Sequence, residues 1–178
     1  ANLPKAHVLG GLAGALTRTP ALATVHGMTI TTHELGIART TNTNLIVVCQ
    51  EAYIQALAMG LPEERVTLIH NGVDTRAFRP TADGDAFRQS LNLPPDVPLD
   101  GMVGRLEQEK GPDHFVLMAR YVLSLRPDTH LVLVGTGSMQ DDLARTIEEM
   151  GLGDHVHMAG FWADPAQVYP ALDIVALT

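Results

Sequence analysis

The alternation of short apolar runs with helix-like segments is the feature that most limits how this sequence can fold. The clearest apolar run, at residues 44–49, is rich in the β-branched residues of a buried parallel strand. A helix-like segment follows at residues 51–59, and Gly60 and Pro62 mark its end. Further strands are predicted at residues 21–25, 66–69, 99–103, 131–134, 155–158 and 173–177. Strands that alternate with helices predict an α/β fold on parallel sheets.

A proline-rich stretch at residues 79–98 divides this pattern into two parts. It holds one short predicted helix at residues 85–91 and these helix-breaking residues: Pro80, Gly84, Pro94, Pro95 and Pro98. The other helices are predicted at residues 7–17, 32–41, 51–59, 112–125, 139–150 and 165–171. The sequence therefore predicts a first domain at residues 1–78, a linker at residues 79–98 and a second domain at residues 99–178.

The composition excludes several classes of protein. The 178 residues carry a formal net charge of −8, and no basic run could follow a nucleic-acid backbone. The single cysteine, Cys49, rules out an internal disulfide and is typical of a reducing cytoplasm. No apolar run reaches membrane-spanning length. We therefore expect a cytoplasmic protein with no nucleic-acid partner and no transmembrane segment.

A charged loop at residues 103–111 lies between a predicted strand and a predicted helix. Gly104 lets a backbone or ligand approach the end of the strand, and Arg105 and Lys110 follow on the same loop. Ligands of open α/β sheets bind at this edge, and two cations beside a helix start suit a phosphate or diphosphate. The alternative is a solvated surface loop, since Glu107 and Glu109 lie among the cations.

A second strand end, at residues 134–138, carries two glycines and a hydroxyl. Gly135 and Gly137 would let the backbone approach a ligand, and Ser138 is a candidate N-cap of the next helix. Gln140 stands where a nicotinamide-dinucleotide motif would place its third glycine. An ordinary strand-to-helix turn explains this segment equally well.

The metal-ligating residue types form no convincing metal site. His155 and His157 alternate on one predicted strand without a third ligand nearby, which favours a structural role. Asp83 and Asp85 match an Asp-x-Asp metal motif, but they lie in the linker, where Asp commonly makes a turn or cap. His26 follows a predicted strand and either faces a cleft or makes ordinary loop contacts.

The order of these segments resembles that of the retaining family 4 glycosyltransferases. Residues 66–74, with Phe78 and Pro80, resemble their interdomain Asn-Gly-Val-Asp…Phe-x-Pro signature. Residues 103–111 resemble their Val-Gly-Arg-Leu…Lys-Gly donor loop. The other similar segments are residues 24–27, with a Thr-x-His pattern, 131–138, with Leu-x-Leu-Val-Gly-x-Gly, and 156–161, with Val-x-Phe-x-Gly.

The resemblance implies the GT-B architecture, with two Rossmann-like domains and the active site in the cleft between them. Both domains are expected to be incomplete, because the family's Gly-rich acceptor loop would precede Ala1 and its Glu-x7-Glu segment would follow Thr178. The chain is then a central fragment that is inactive alone. Its exposed sheet edges are expected to favour self-association.

The resemblance also assigns roles to residues of this chain. Arg105 and Lys110 would hold the donor diphosphate and stabilise it as the leaving group, and His26 would contact the donor sugar or the reacting groups. The nucleotide-binding glycines would be Gly104, Gly135 and Gly137. The implied reaction moves a sugar from a UDP- or GDP-linked donor, with retention and without a metal or cofactor, to a lipid, saccharide or small-molecule acceptor.

Two other interpretations stay open. The chain could be a non-catalytic remnant that binds a nucleotide or forms oligomers, and the absence of a Glu-x7-Glu segment favours this for the sequence taken literally. A nucleotide-sugar epimerase or a phosphorylase on the same architecture is the other alternative. The expected location is the cytoplasm, with the inner face of the membrane as a peripheral alternative.

Overall fold

The computed structural model describes residues 4–79 and 83–177, which form two compact units divided between Val73 and Asp74. The helices are α1 (Pro4–Thr17), α2 (Thr32–Thr41), α3 (Gln50–Ala58), α4 (Asp85–Ser90), α5 (Pro112–Leu125) and α6 (Gln140–Glu149). The strands are β1 (Leu22–Val25), β2 (Asn44–Val47), β3 (Val66–Leu68), β4 (Leu99–Val103), β5 (His130–Val134), β6 (Val156–Gly160) and β7 (Ile174–Val175).

The first unit contains a parallel sheet in the order β1-β2-β3. Alternate strand residues such as Val25, Leu45 and Val47 are buried against α2 and α3, whereas the continuous apolar run predicted a strand buried on both faces, and Ile46 is only half-buried. The start of α2 is fixed by a capping box, in which Thr31 and Glu34 exchange side-chain and backbone hydrogen bonds.

The second unit contains a parallel sheet in the order β6-β5-β4-β7. The chain adds β5 and then β6 on one side of β4, and it returns to place β7 on the other side. The strand order therefore reverses beside β4, and ligands of open parallel sheets bind at the carboxyl ends of strands near such a reversal. The predicted α/β class, with a parallel sheet in each part, is confirmed.

Both faces of the second sheet are covered. Helices α5 and α6 bury Phe115, Val116 and Leu143 on one face. On the other face, α4 and two 3-10 turns, Pro165–Gln167 and Tyr169–Ala171, pack on Val132 and Val134. The sequence predicted one helix across these turns. A continuous helix does not form because Pro170 has no amide hydrogen to donate to the preceding turn.

The proline-rich segment packs on the second unit from α4 onwards. Phe87 is fully buried in the core of that unit. Arg88 donates to the carbonyls of Val97, at 2.7 Å, and Ala171, at 2.8 Å, and it pairs with Asp173 at 3.0 Å. Pro80 lies outside the described residues. The domain limits drawn from the sequence, with residues 79–98 as the linker, stay a prediction.

Three histidines form a stack beside the amino end of β5. His130 Nδ1 lies 3.0 Å from His157 Nε2, and the His155 ring stacks on His130 at 5.1 Å. Burial lowers the pKa of both His130 and His157, and the neighbouring imidazoles lower it further. His155 Nδ1 lies 3.1 Å from the carbonyl of Thr129. These contacts fit the structural role predicted for His155 and His157.

We expect the stack to make stability fall in acid. The unfolded chain takes up protons near the ordinary pKa of 6.5, whereas folded His130 and His157 take them up only at lower pH. Their contribution is therefore complete above pH 6.5 and is lost as the pH falls below it. The slope is at most about 1.4 kcal/mol per pH unit for each histidine, and solvent screening reduces it.

Urea unfolding between pH 5 and pH 7.5 measures this slope. His157→Gln should flatten it, whereas His114→Gln, at an exposed position on α5, should leave it unchanged. Equal slopes for the wild type and His157→Gln would show that the stack does not couple folding to pH.

Candidate functional site

The loops that follow β4 and β5 run side by side at the carboxyl edge of the second sheet. The amide of Gly104 donates to the carbonyl of Val134 at 2.9 Å, and that of Leu106 donates to Thr136 at 3.0 Å. The Leu106 carbonyl in turn accepts from the amide of Met139 at 3.0 Å. The backbone thus joins the two segments that the sequence marked as candidate ligand loops.

Two of the candidate glycines are needed for this loop packing. Gly135 has φ +136°, and a Cβ there would overlap the carbonyl oxygen of Gly104. A Cβ at Gly137 would overlap the carbonyl oxygen of Leu106. Gly104 differs from both, because a Cβ there would meet nothing within 4 Å. Of the three glycines, Gly104 is therefore the one that leaves space open at the strand end.

A cavity of about 350 Å³ lies at this edge of the sheet. One side is formed by the strand ends and their loops, including Gly104, Arg105 and Gly135. The other side is formed by the segment after β6: Phe161, Trp162, Pro165 and Val168. The Trp162 ring is held edge-on against Phe87, with the ring centroids 5.0 Å apart. The cavity lining therefore combines an apolar, aromatic wall with a glycine and an arginine.

The two cations of the donor-like loop occupy different places. Arg105 lines the cavity, and its exposed side chain forms an ion pair with Glu109. Lys110 is exposed at the end of a 3-10 turn, Gln108–Lys110, and it is not among the residues that line the cavity. Gly111, in the left-handed conformation, is then the N-cap residue of α5. A ligand that met both cations would extend from the cavity towards this turn.

The Glu107 carboxylate bridges the two loops. Its Oε1 accepts from the Ser138 amide at 3.0 Å, and its Oε2 accepts from the Ser138 hydroxyl at 2.6 Å. These hydrogen bonds hold the pKa of the Glu107 carboxyl below its usual range. Ser138 was predicted as the N-cap of the following helix, but that position belongs to Met139, which makes no side-chain cap. Ser138 directs its hydroxyl to Glu107 instead.

The remaining candidates are not among the residues that line this cavity. His26 is exposed just after β1, in the first unit. Asp83 accepts from the amide of Asp85 at 2.8 Å, which is the turn role predicted for it. Within residues 4–79 and 83–177, no group of three His, Cys, Asp or Glu residues is arranged to hold a metal. Across the same ranges, no helix combines the length and apolar character needed to cross a membrane.

Sequence reasoning missed the aromatic wall and the Glu107 bridge. Phe161, 75% exposed, ends a segment that had been matched to a family strand without a role for its side chain. A bulky aromatic residue directly after a predicted strand was the available signal. Glu107 gave none, because its partner Ser138 lies 31 residues away.

Comparison with protein families gives two consecutive matches. The family model for glycosyl transferases group 1 matches residues 83–178, and the model for glycosyltransferase family 4 matches residues 1–77. The D-inositol 3-phosphate glycosyltransferase of Segniliparus rotundus is 32% identical over 123 residues, which is 64% of this chain and 26% of that protein. The UDP-Gal:alpha-D-GlcNAc-diphosphoundecaprenol alpha-1,3-galactosyltransferase of Escherichia coli is 27% identical, over 97% of this chain and 49% of that protein.

A solved structure extends the similarity to the fold. The crystal structure of Anabaena Alr3699/HepE in complex with UDP-glucose superposes with a TM-score of 0.80 and 26% identity. The match covers 99% of this chain and 51% of the Anabaena chain. This chain therefore spans about half the length of that protein, as it does of the E. coli galactosyltransferase.

Proposed function

Because the chain belongs to the glycosyl transferases group 1 family, we propose that it transfers a sugar from a nucleotide-diphosphate donor to an acceptor. The observation that carries this proposal is the cavity at the ends of β4 and β5, which combines an aromatic wall with Gly104 and Arg105. An aromatic wall suits a nucleobase, and a guanidinium beside an open strand end suits a phosphate.

The proposed donor is linked to UDP. The similar Anabaena protein was crystallised with UDP-glucose, and the E. coli relative is named for UDP-Gal. GDP, the alternative left open by the sequence, has a larger base and serves as the comparison nucleotide in the experiment below. The names of the relatives differ in their acceptors, one an inositol phosphate and the other a lipid-linked sugar. The acceptor is accordingly proposed only as a lipid, saccharide or small molecule.

The proposed chemistry places the cations at the leaving group. When the bond between the anomeric carbon and the diphosphate breaks with retention, negative charge develops on the diphosphate. Arg105 and Lys110 are proposed to stabilise that charge through charge-assisted hydrogen bonds. By family resemblance, His26 is proposed to contact the donor sugar or the reacting groups. A cytoplasmic location and pairing of a second chain with an exposed sheet edge stay predictions.

Titration calorimetry of the 178-residue chain with UDP, UDP-glucose, GDP and uridine tests the proposal. UDP and UDP-glucose should bind, uridine should bind more weakly because it lacks the diphosphate, and GDP should bind more weakly than UDP. Absence of UDP and UDP-glucose binding would refute a nucleotide-sugar site in this chain. Preference for GDP would overturn the choice of donor nucleotide.

We expect UDP binding to be independent of divalent metal. The cationic side chains of Arg105 and Lys110 supply the charge that a metal would otherwise supply, and Asp83 is engaged in a turn. The affinity for UDP should agree within about twofold with excess chelator and with added Mn²⁺. Binding that is lost in chelator and restored by Mn²⁺ would contradict this prediction, and a chelator already saturated with Ca²⁺ is the control.

A further inference from the structure

Both carboxylate oxygens of Glu107 accept hydrogen bonds from a single residue of the neighbouring loop, Ser138. We call this pair of hydrogen bonds the bridge. The two hydrogen bonds measure 3.0 Å and 2.6 Å, and the shorter one comes from the Ser138 hydroxyl. Glu107 is only half-buried, but its carboxylate is held from two directions. The side chain therefore occupies one defined place between the loops.

The bridge lies in the middle of the loop that carries the proposed donor cations. Glu107 follows Arg105 by two residues, and it is the N-cap position of the 3-10 turn that ends at Lys110. The adjacent residue, Leu106, is fixed by its own backbone bonds to the same neighbouring loop. Fixing two consecutive residues here sets both the direction of Arg105 and the start of the turn.

The bridge also fills the space at the amino end of α6 with an internal anion. The Ser138 amide, directly before the N-cap residue Met139, donates to Glu107. A phosphate placed at this amide would have to displace a carboxylate whose pKa is already lowered by the same hydrogen bonds. The diphosphate of a bound nucleotide would therefore lie on the Arg105 side of the cavity and not at the Ser138 amide.

From this geometry we infer that Glu107, held by Ser138, is a positioning residue that orders the donor loop for a nucleoside diphosphate. The inference rests on the proposed function. It assigns Glu107 no contact with the ligand. Glu107 acts through Arg105 and through the turn that carries Lys110.

Four variants separate positioning from simple charge. Glu107→Ala removes both hydrogen bonds of the bridge, whereas Ser138→Ala removes only the shorter one, because the backbone amide of residue 138 stays in place. Ser138→Thr keeps both hydrogen bonds. Glu107→Gln can also make two, with its amide oxygen accepting from the Ser138 amide and its amide nitrogen donating to the Ser138 hydroxyl oxygen. A role through charge alone predicts that Glu107→Ala and Glu107→Gln tighten UDP binding equally, since both remove a negative charge near the diphosphate. Positioning predicts that only the two alanine variants weaken it.

Calorimetry with UDP and with uridine supplies the readout. The alanine variants should bind UDP about two- to thirtyfold more weakly than the wild type, with unchanged affinity for uridine. Glu107→Gln and Ser138→Thr should not weaken UDP binding by more than about twofold relative to the wild type. The double alanine variant should bind UDP as weakly as Glu107→Ala does, because Glu107→Ala already removes both hydrogen bonds of the bridge. Matched controls are Glu149→Gln on α6 and Ser124→Ala on α5, both exposed.

The outcomes distinguish the inference from the proposed function. If the wild type binds UDP and the alanine variants bind it equally well or more tightly, the positioning role is wrong and the proposed function stands. If the alanine variants lose uridine and UDP to the same extent, the bridge is merely structural and the inference fails. If the wild type binds neither UDP nor UDP-glucose, the proposed function fails and the inference fails with it.

Discussion

Arg105→Ala and Lys110→Ala are each expected to weaken UDP binding by about 1.5–3 kcal/mol, a factor of about ten to one hundred and fifty. The physical reason is the loss of charge-assisted hydrogen bonds to a dianionic or trianionic ligand. Arg105 lines the cavity directly, and Lys110 lies five residues further along the same loop. Uridine, which has no phosphate, should bind both variants with the affinity it has for the wild type.

Arg145→Ala is the matched control for Arg105→Ala. Arg145 is similarly exposed and forms an ion pair with a nearby carboxylate on α6, as Arg105 does with Glu109. Its removal changes the net charge by the same amount without touching the cavity. If Arg145→Ala weakens UDP binding as much as Arg105→Ala does, the effect is one of overall charge and the assigned site is wrong.

Gly135→Ala is expected to lower the free energy of unfolding by about 2–5 kcal/mol. Part of the cost is backbone strain, because φ is +136° at this position, where residues with a Cβ are rarely found. The rest is steric, because the new methyl group would overlap the Gly104 carbonyl and must push the β4 loop away. The adjacent hydrogen bond from Gly104 to Val134 would be strained by the same displacement.

Urea unfolding at pH 7.5 measures this loss, with Gly153→Ala as the control. Gly153 is exposed, a Cβ there would meet nothing within 4 Å, and its φ is not positive. That variant should stay within about 0.5 kcal/mol of the wild type. A Gly135→Ala variant as stable as the control would show that the two loops do not need the close approach described here.

The sequence determined the elements whose signals are local. Helix α5 begins at Pro112 and ends at Leu125, as predicted. A proline at the first helical position is a local start signal, and Pro127, two residues beyond the end, is a local stop signal. The apolar runs likewise predicted strands at β2 and β5. Residues 131–134 of β5 are buried continuously, whereas β2 is buried only at alternate residues. The ordered motifs predicted the glycosyltransferase family, which the comparisons confirm.

Only the tertiary structure decided which distant segments meet. The position of β7 beside β4, the wall formed by Phe161 and Trp162, and the bridge from Glu107 to Ser138 each join residues far apart in the chain. Gly135 also shows that the sequence does not identify the partner of a residue. The sequence marked Gly135 as a place of close approach, but the tertiary structure placed the Gly104 carbonyl there. Local patterns report the conformation and burial a residue prefers, whereas its partner depends on how the whole sheet is assembled.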